Sequence, residues 1–422
     1  MMTKQKKRIG IALEGGGAKG SFQVGAIRAI REMNIAYSGV VGASIGAING
    51  ALIAMNDISL MESVWLSTKV NDIIAGDEEL LKKIVKLDFK GDLTEVRQIL
   101  LDTIKQGGLD ITPYKAYLKE FINEECIRKS EIEYGLVTLS LTDLKPIEIF
   151  VRDIPSGKLT EYIMASANFP AFKMGKIDNK VFLDGGFFDN LPINMLLEEG
   201  YDEVIAIRIM GMGRIRKIPK VYESKVTVIL PSEDLGRTLE IDPIRAKHNM
   251  LLGYFDTYKV LHKLLGTYFY ITETLEEDEA FARFSEIPDP FCEQIMLDLG
   301  LGVLPKKRFI FEHFIPLLGD VLKLPKQATY TEILLAFYET LGKYAGIERL
   351  KFYTLNSLME NVNSHYQKIQ LETDVKIDKM SLSLLNIIKS VGISVMPQKQ
   401  RREFLEFLLL KLIQTDDFKW DQ

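Results

Sequence analysis

Apolar positions at the start of the chain form short runs typical of buried strands and longer runs with helical spacing. Residues 8–13 predict a strand, and residues 21–33 place apolar side chains every three or four positions, which predicts a helix. Residues 39–42 predict a second strand and residues 45–55 a second helix. Strands that alternate with helices are typical of an α/β fold built around a parallel sheet.

The same alternation of strands and helices continues to about residue 230. Strands are predicted at residues 135–141, 147–151, 181–183 and 204–209, with 226–230 as a candidate last strand, and helices at 159–168 and 192–199. Residues 59–133 are richer in charge and in helix-forming residues, so they are interpreted as helical excursions from the sheet.

Strand patterns fade beyond residue 232. Runs rich in Leu, Lys, Phe and Glu dominate this half, and prolines at positions 288, 290, 305, 316 and 325 interrupt them, which predicts a mainly helical region. A chain of 422 residues is too long for one ordinary domain. We therefore expect an α/β domain at residues 1–232 and a mainly helical C-terminal region of unknown role at residues 233–422.

Composition and charge narrow the class of protein. Hydrophobic residues make up 47% of the chain and charged residues 26%, which is typical of a folded globular protein. The net charge of -5 gives no electrostatic reason to expect a nucleic-acid partner. Cys126 and Cys292 form neither a disulfide framework nor a metal-binding spacing, so a reducing compartment is indicated.

Two segments bear on targeting. The basic start of the chain lacks the apolar stretch and cleavage site of a signal peptide, so a cytoplasmic location is expected. Residues 33–56 carry no formal charge and hold Gly42, Gly46 and Gly50 at the small-residue spacing of a membrane-spanning helix. Polar residues interrupt this stretch and its glycines weaken a helix, so a buried strand, a turn and a helix are the better interpretation.

Residues 42–46 read Gly-Ala-Ser-Ile-Gly and match the nucleophile elbow G-x-S-x-G, in which a serine occupies a sharp turn between a strand and a helix. Only small side chains fit two positions before and after such a serine, which explains Gly42 and Gly46. The pattern makes Ser44 a candidate nucleophile. The alternative is that Ser44 caps the N-terminus of a helix.

A glycine-rich loop lies between the first predicted strand and its helix. The backbone N–H groups of such a loop can bind negative charge. The loop matches the dinucleotide-binding pattern, but residues 33–56 contain no acidic residue for the ribose, and Lys19-Gly20-Ser21 does not fit a phosphate-binding loop. We therefore interpret it as an oxyanion hole beside Ser44, in which Lys19 adds positive charge or caps the turn in solvent. Its candidate residues are Gly15, Gly16, Gly17, Lys19 and Gly20.

A serine nucleophile needs a base, and no histidine precedes position 248. Asp184 follows the predicted strand at 181–183, and the C-terminal ends of strands are where open α/β sheets place their sites. Burial would raise the pKa of its carboxyl toward a useful value. Asp184 is therefore the candidate base, with Gly185 and Gly186 in the turn after it. The alternatives are a plain turn at this position, and Asp189 as the base.

Five motifs, taken in order, resemble those of the patatin-like phospholipases. They are the glycine loop at 15–20, the elbow at 42–46, the small-residue block at 165–172 (ASANFPAF), the Asp184-Gly185-Gly186 turn and the Asn190-Leu191-Pro192 segment. The resemblance covers about residues 8–210, and residues 239–260 also look like a stretch found after the domain in bacterial members. Lys19 stands where many members have arginine, and Asn168 departs at a variable position.

This resemblance implies a three-layer α/β/α core with a mostly parallel sheet and a lipid acyl hydrolase of the phospholipase A, lysophospholipase or esterase type. It also implies a Ser44–Asp184 dyad, a covalent acyl-enzyme, and neither metal, cofactor nor histidine in catalysis. The expected partner is a lipid ester or phospholipid substrate. An α/β-hydrolase with a later histidine is the runner-up, weakened because only two predicted strands precede Ser44.

Two further readings of the sequence stay open. The protein could be a latent lipid-binding or signalling protein that residues 233–422 hold inactive. Transient contact with a membrane surface would use the basic cluster Arg208, Arg214, Arg216, Lys217 and Lys220 or the apolar run at 404–413. A solvated basic loop and a core helix are the simpler interpretations. The sequence does not specify the head group, acyl position, chain length, activator or oligomeric state.

Overall fold

The computed structural model describes residues 7–73, 75, 108–169, 172–173, 176–373 and 396–415. The chain divides into two compact units, Met1–Leu261 and His262–Gln422. The first unit is an α/β domain and the second is mainly helical, so the predicted fold class is confirmed.

An eight-stranded sheet forms the centre of the first unit. Its strands are β1 Ile9–Leu13, β2 Gly39–Ala43, β3 Glu133–Ser140, β4 Lys145–Phe150, β5 Lys176–Ile177, β6 Lys180–Asp184, β7 Glu203–Ile207 and β8 Val226–Ile229. The order is β5-β6-β3-β2-β1-β7-β8, and β4 pairs with the other edge of β3. Neighbouring strands from β3 to β8 along this order are parallel, whereas β4, β5 and β6 pair antiparallel. The sheet is therefore mostly parallel, as predicted.

Helices of the first unit connect these strands. They are α1 Ser21–Glu32, α2 Ile45–Ala54, α3 Ile58–Ser67, α4 Val70–Ile73, α5 Thr112–Phe121, α6 Glu124–Lys129, α7 Leu159–Ser166, α8 Gly186–Asp189, α9 Ile193–Glu198 and α10 Pro243–Leu261. Short 3-10 turns occur at Gly17–Gly20, Val151–Asp153 and Lys220–Lys225. The helices predicted from periodicity at 21–33, 45–55, 159–168 and 192–199 are all present within a few residues.

Both faces of the sheet carry helices, because successive residues of a strand point to opposite sides. On β3, the Tyr134 hydroxyl donates a hydrogen bond to the Ala47 carbonyl of α2 at 2.7 Å. Val137, on the opposite face of the same strand, packs in a cluster with Leu196 of α9. The domain therefore has the three layers of an α/β/α core.

Strands β2 and β6 meet end to end along one edge of β3. Ala43, the last residue of β2, pairs with Val137, and Asp184, the last residue of β6, pairs with Thr138. The other edge of β3 is occupied there by β4, since Thr138 also pairs with Ile147. Because β6 runs antiparallel to β3, the ends of β2 and β6 point at each other. This register is what brings the residues after β2 next to the end of β6.

Residues 33–56 form β2, a turn and α2, so their interpretation as a buried strand, turn and helix is confirmed. Across the described ranges, no helix combines the length and the apolar character that spanning a membrane requires.

The first unit extends past the predicted boundary at residue 232. Helix α10 lies directly against α1 with two glycines at the contact: a Cβ on Gly25 would lie 1.7 Å from the Met250 carbonyl oxygen, and one on Gly253 would lie 2.0 Å from that of Phe22. Backbones this close require residues without side chains. The compact unit therefore ends at Leu261, after α10.

The second unit is mainly helical, as predicted, but also contains a short two-stranded parallel sheet that the pattern of residues did not indicate. Its elements are β9 Tyr270–Glu273, α11 Glu277–Ser285, α12 Asp289–Leu299, α13 Lys306–Phe309, a π-helical turn Ile310–Phe314, α14 Ile315–Leu322, α15 Tyr330–Tyr344, β10 Phe352–Thr354, α16 Leu355–Thr373 and α17 Gln398–Gln414.

The apolar run at residues 404–413 lies in α17. Its side chains Phe404, Leu405, Leu408 and Leu412 are buried in the core of the second unit. The large apolar side chains of this run are therefore already covered by the unit itself. This placement favours the core-helix interpretation over a membrane-docking one.

Candidate active site

Ser44 occupies the turn between β2 and α2 with φ 53° and ψ −124°, a backbone conformation that side chains rarely adopt. Gly42 and Gly46 make the turn sterically feasible. A Cβ on Gly42 would lie 2.2 Å from the Gly46 carbonyl oxygen, and one on Gly46 would lie 2.4 Å from that of Leu13. The Ser44 side chain makes no helix-capping hydrogen bond, so the capping interpretation is not supported.

Asp184 ends β6, and its side chain is buried with 6% of the residue exposed. Its carboxylate accepts a hydrogen bond from the Gly186 N–H at 2.8 Å, and Ser44 lines the same cavity. Burial raises the pKa of the Asp184 carboxyl to about 6, although the Ser44 hydroxyl and the Gly186 N–H act in the opposite direction. The structure therefore places a buried carboxylate with a raised pKa in the same cavity as Ser44.

The end of α7 links the serine and aspartate turns. Ser44 donates its N–H to the Ser166 hydroxyl at 3.0 Å, and Gly185 donates its N–H to the Ser166 carbonyl at 3.1 Å. Asn168 accepts the Asp184 N–H at 3.0 Å with its carbonyl. Ser166 and Asn168 belong to the small-residue block recognised in the sequence, where they had no assigned role. Their polar side chains within an otherwise apolar block were the signal that could have identified them. Pro170 and Ala171 of the same block lie outside the described residues.

Asn190 fastens the glycine loop to the aspartate turn. The Gly15 N–H donates to the Asn190 carbonyl, and the Asn190 side-chain amide donates to the Gly15 carbonyl, both at 3.0 Å. The N–H of Gly15, one of the predicted oxyanion donors, is therefore already in use. In the part of the chain that the structure describes, the N–H groups of Gly16 and Gly17 have no acceptor, and both residues line the same cavity as Ser44.

Glu14 and Lys19 anchor the two ends of the glycine loop to the segment after β7. The Glu14 carboxylate is fully buried and accepts hydrogen bonds from the N–H groups of Ile209 and Met210 at 2.6 and 2.9 Å, and from Arg208 at 3.2 Å. Lys19 is also buried and donates to the Met210 carbonyl at 3.1 Å, so its interpretation as a cap in solvent is wrong. Sequence reasoning missed Glu14, although a carboxylate directly after an apolar strand was a visible signal.

Asp189, the alternative base, lies on α8 and is fully buried. Its Oδ1 accepts the N–H groups of Leu191 and Arg216, both at 3.3 Å. Burial raises the pKa of its carboxyl to about 6. Asp184 is among the described residues that line the cavity around Ser44, and Asp189 is not.

The cavity that begins at Ser44 and Asp184 has a volume of about 410 Å³. Helices α2, α3 and α5 supply ten of its described lining residues, and the side chains of all of these except Asn49 are apolar or aromatic. They include Ile45, Ile48, Leu52, Val64, Trp65, Tyr114, Tyr117, Leu118 and Phe121. Such a cavity can bury a hydrocarbon chain with one end at the Ser44 hydroxyl. No histidine is found among its described lining residues.

The residues of the basic cluster after β7 are used in different ways: some form ion pairs within the domain and others are exposed. Arg208 pairs with Glu14, as described above, and Arg216 pairs with Glu148 at 2.9 Å and with Glu198 at 3.6 Å. Arg214 is exposed and lines the cavity. The cluster is therefore not one continuous basic surface, because two of its arginines are committed to ion pairs within the domain.

Residues 11–197 match the family model for patatin-like phospholipases. The chain is 28% identical over 201 residues to patatin-like phospholipase domain-containing protein ZK370.4 of Caenorhabditis elegans, which covers 47% of this chain and 13% of that protein. It is 26% identical over 206 residues to patatin-like phospholipase domain-containing protein 7 of Mus musculus. This match covers 48% of this chain and 13% of that protein. It is 28% identical over 207 residues to lysophospholipase NTE1 of Phaeosphaeria nodorum. This match covers 48% of this chain and 12% of that protein.

The matched part of this chain thus spans about an eighth of the length of these relatives. Among solved structures, the chain is similar to VipD from Legionella pneumophila, with a TM-score of 0.38 and 12% identity over 97% of this chain and 92% of that one. The family model covers the glycine loop, the serine elbow and the aspartate turn in the order found here. The chain therefore contains, at residues 11–197, a domain that matches the patatin-like phospholipase family.

Proposed function

We propose that the protein is a serine carboxylic-ester hydrolase that cleaves acyl groups from lipids through a Ser44–Asp184 dyad. The observation that carries the proposal is that Ser44 and the buried Asp184 line the same largely apolar cavity, where the serine hydroxyl interacts with the carboxylate. The match of residues 11–197 to the family model supports lipid hydrolysis in general, and the dyad gives it a specific chemistry.

In the first step, Asp184 accepts the proton of the Ser44 hydroxyl while Oγ attacks the ester carbonyl carbon. A raised pKa suits this role, since a carboxylate at its ordinary pKa is a poor proton acceptor near neutrality. The strained Ser44 backbone holds Oγ at the turn, and Gly42 and Gly46 keep the approach open.

Negative charge then develops on the former carbonyl oxygen. The N–H groups of Gly16 and Gly17 are the donors available to it within the described residues, because the Gly15 N–H is bonded to Asn190. Preorganised donors of this kind lower the barrier of acyl transfer by about 3–4 kcal/mol each.

Collapse of the intermediate breaks the ester C–O bond, and the departing alcohol takes the proton held by Asp184. The acyl group stays on Ser44 as an ester. A water molecule then attacks this ester while Asp184 again accepts a proton, and the fatty acid leaves with Ser44 restored. The apolar cavity would hold the hydrocarbon chain through both steps.

The experiment is hydrolysis of p-nitrophenyl esters and of lysophospholipid by the wild type and by Ser44→Ala. We expect the substitution to lower kcat by about 10⁴-fold or more. Ser63→Ala is the matched control, because Ser63 is an exposed serine of α3 whose hydroxyl donates to Leu60, and it should retain wild-type activity. A Ser44→Ala protein that hydrolyses esters at the wild-type rate would refute the proposal.

A further inference from the structure

Arg214 is a cation in the cavity wall. The charged residues among the described cavity lining are Asp184, Arg214, Glu240 and Asp242, so Arg214 is the positively charged member of this set. Its guanidinium is exposed and makes no ion pair or hydrogen bond within the described part of the protein. A charged group in the wall of a largely apolar cavity can select substrates that carry the opposite charge.

The neighbouring arginines are used differently. Arg208 pairs with the buried Glu14, and Arg216 makes two hydrogen bonds to Glu148, at 2.9 and 3.0 Å. Both therefore hold the domain together. Arg214 lies between them in sequence, and its guanidinium remains available to a ligand.

The backbone of Arg214 is fixed to the aspartate turn. Its N–H donates to the Gly186 carbonyl at 2.9 Å, and its carbonyl accepts the Asn190 N–H at 2.6 Å. Gly186 also donates its N–H to Asp184, so Arg214 is attached two residues from the proposed base. The backbone of Arg214 is therefore anchored to the aspartate turn, and the residue lines the same cavity as Ser44 and Asp184.

Two exposed apolar side chains line the cavity together with Arg214. Phe187 and Met212, which also line the cavity, are 52% and 48% exposed. On the lining segment 238–242, Glu240 accepts the Arg237 N–H at 2.9 Å and Asp242 accepts the Arg245 N–H at 2.7 Å. These two carboxylates oppose a polyanionic ligand, so a phosphodiester with a single negative charge fits the rim better than a phosphate monoester.

We infer that Arg214 binds the phosphate of a phospholipid or lysophospholipid substrate and so determines the preference for phospholipids over neutral acylglycerols. The planar guanidinium can donate two hydrogen bonds to one phosphate. In a phospholipid the phosphate lies a few bonds from the glycerol ester, which matches an arginine anchored beside the dyad. This inference rests on the proposed function and concerns the substrate of the same site.

The test compares two substrates with the same acyl chain, lysophosphatidylcholine and monoacylglycerol, in the same detergent micelles. Arg214→Gln should lower kcat/KM for lysophosphatidylcholine by about 10- to 100-fold and that for monoacylglycerol by less than about threefold. Arg214→Lys should fall between wild type and Arg214→Gln on lysophosphatidylcholine, because lysine keeps the charge and loses the paired donors.

Lys217→Gln is the matched control, because Lys217 is an exposed cation of the same segment outside the described cavity lining, and it should leave both substrates unaffected. Equal losses on both substrates, or no loss on lysophosphatidylcholine, would overturn the role of Arg214. A wild type that cleaves neither substrate, or a Ser44→Ala variant that cleaves both, would instead refute the proposed function.

Discussion

The two ends of the cavity are built by different means. At the polar end, Ser44, Asp184 and the glycine loop are held by backbone hydrogen bonds to Ser166 and Asn190 and by contacts that only glycine permits. At the apolar end, side chains of α2, α3 and α5 form a wall mainly by packing, and hydrogen bonds join Trp65 to Asn49 and Tyr117 to Thr68. Hydrogen-bonded geometry tolerates almost no change, whereas an apolar wall can be repacked with modest cost. We therefore expect substitutions at the polar end to affect rate and those at the apolar end to affect which chain is accepted.

The largest expected effect at the polar end is on Asp184. Asp184→Asn keeps the size of the side chain and removes its ability to accept the proton of Ser44. We expect kcat to fall by about 10⁴-fold. Steady-state hydrolysis of a p-nitrophenyl ester measures this loss.

The same substitution should stabilise the protein at alkaline pH. Burial raises the pKa of the Asp184 carboxyl to about 6, so its ionised form costs stability above pH 6, and that cost disappears as the pH falls toward 4. Asp184→Asn should therefore raise the free energy of unfolding by up to about 3 kcal/mol at pH 8 and change it little at pH 4. Urea denaturation at both pH values measures the difference. Equal stabilisation at pH 8 and pH 4 would show that ionisation of Asp184 is not the cause.

A smaller effect is expected at Ser166, which positions the elbow without touching the substrate. Ser166→Ala removes the acceptor of the Ser44 N–H and leaves that N–H without a partner in a largely buried site. We expect kcat to fall by about tenfold with KM nearly unchanged, and the free energy of unfolding to fall by about 1–3 kcal/mol. Single-substrate kinetics and urea denaturation test this together. A wild-type kcat would show that this hydrogen bond does not support the elbow.

The smallest effect on rate is expected at the apolar end. Leu118 of α5 is fully buried and lines the cavity, so Leu118→Trp should shorten the space for a hydrocarbon chain. The ratio of kcat/KM for dodecanoate over butyrate p-nitrophenyl esters should fall by about tenfold, while butyrate hydrolysis stays near wild type. Leu66→Trp is the control, since Leu66 is an exposed residue of α3 outside the described lining. An unchanged ratio in Leu118→Trp would show that this wall does not bind the acyl chain.

Local patterns predicted most elements of the first unit, because strand and helix periodicity, glycine turns and proline breaks are local properties. They did not predict that β6 runs antiparallel and meets β2 end to end on β3, since register depends on pairing between residues far apart in sequence. The extension of the first unit to Leu261 was missed for a similar reason, because it depends on the contact of α10 with α1.

For the candidate site, too, the sequence predicted some features and not others. Motifs identified Ser44, Asp184 and the glycine loop as candidates, and the structure brings them together. Motifs could not show that the Gly15 N–H is bonded to Asn190, or that Glu14 is the buried anchor of the loop. Such bonds are made by backbone groups, which every residue possesses, so side-chain identity carries little information about them.

The central claim is that Ser44 carries the acyl group during turnover, and acid quenching followed by mass spectrometry tests it most directly. During hydrolysis of a p-nitrophenyl ester, we expect a protein species heavier by one acyl group, with the addition located on the peptide that contains Ser44. The same quench of Ser44→Ala should show no such species. Rapid hydrolysis by Ser44→Ala, or an acyl group attached to another residue of the active protein, would contradict the account.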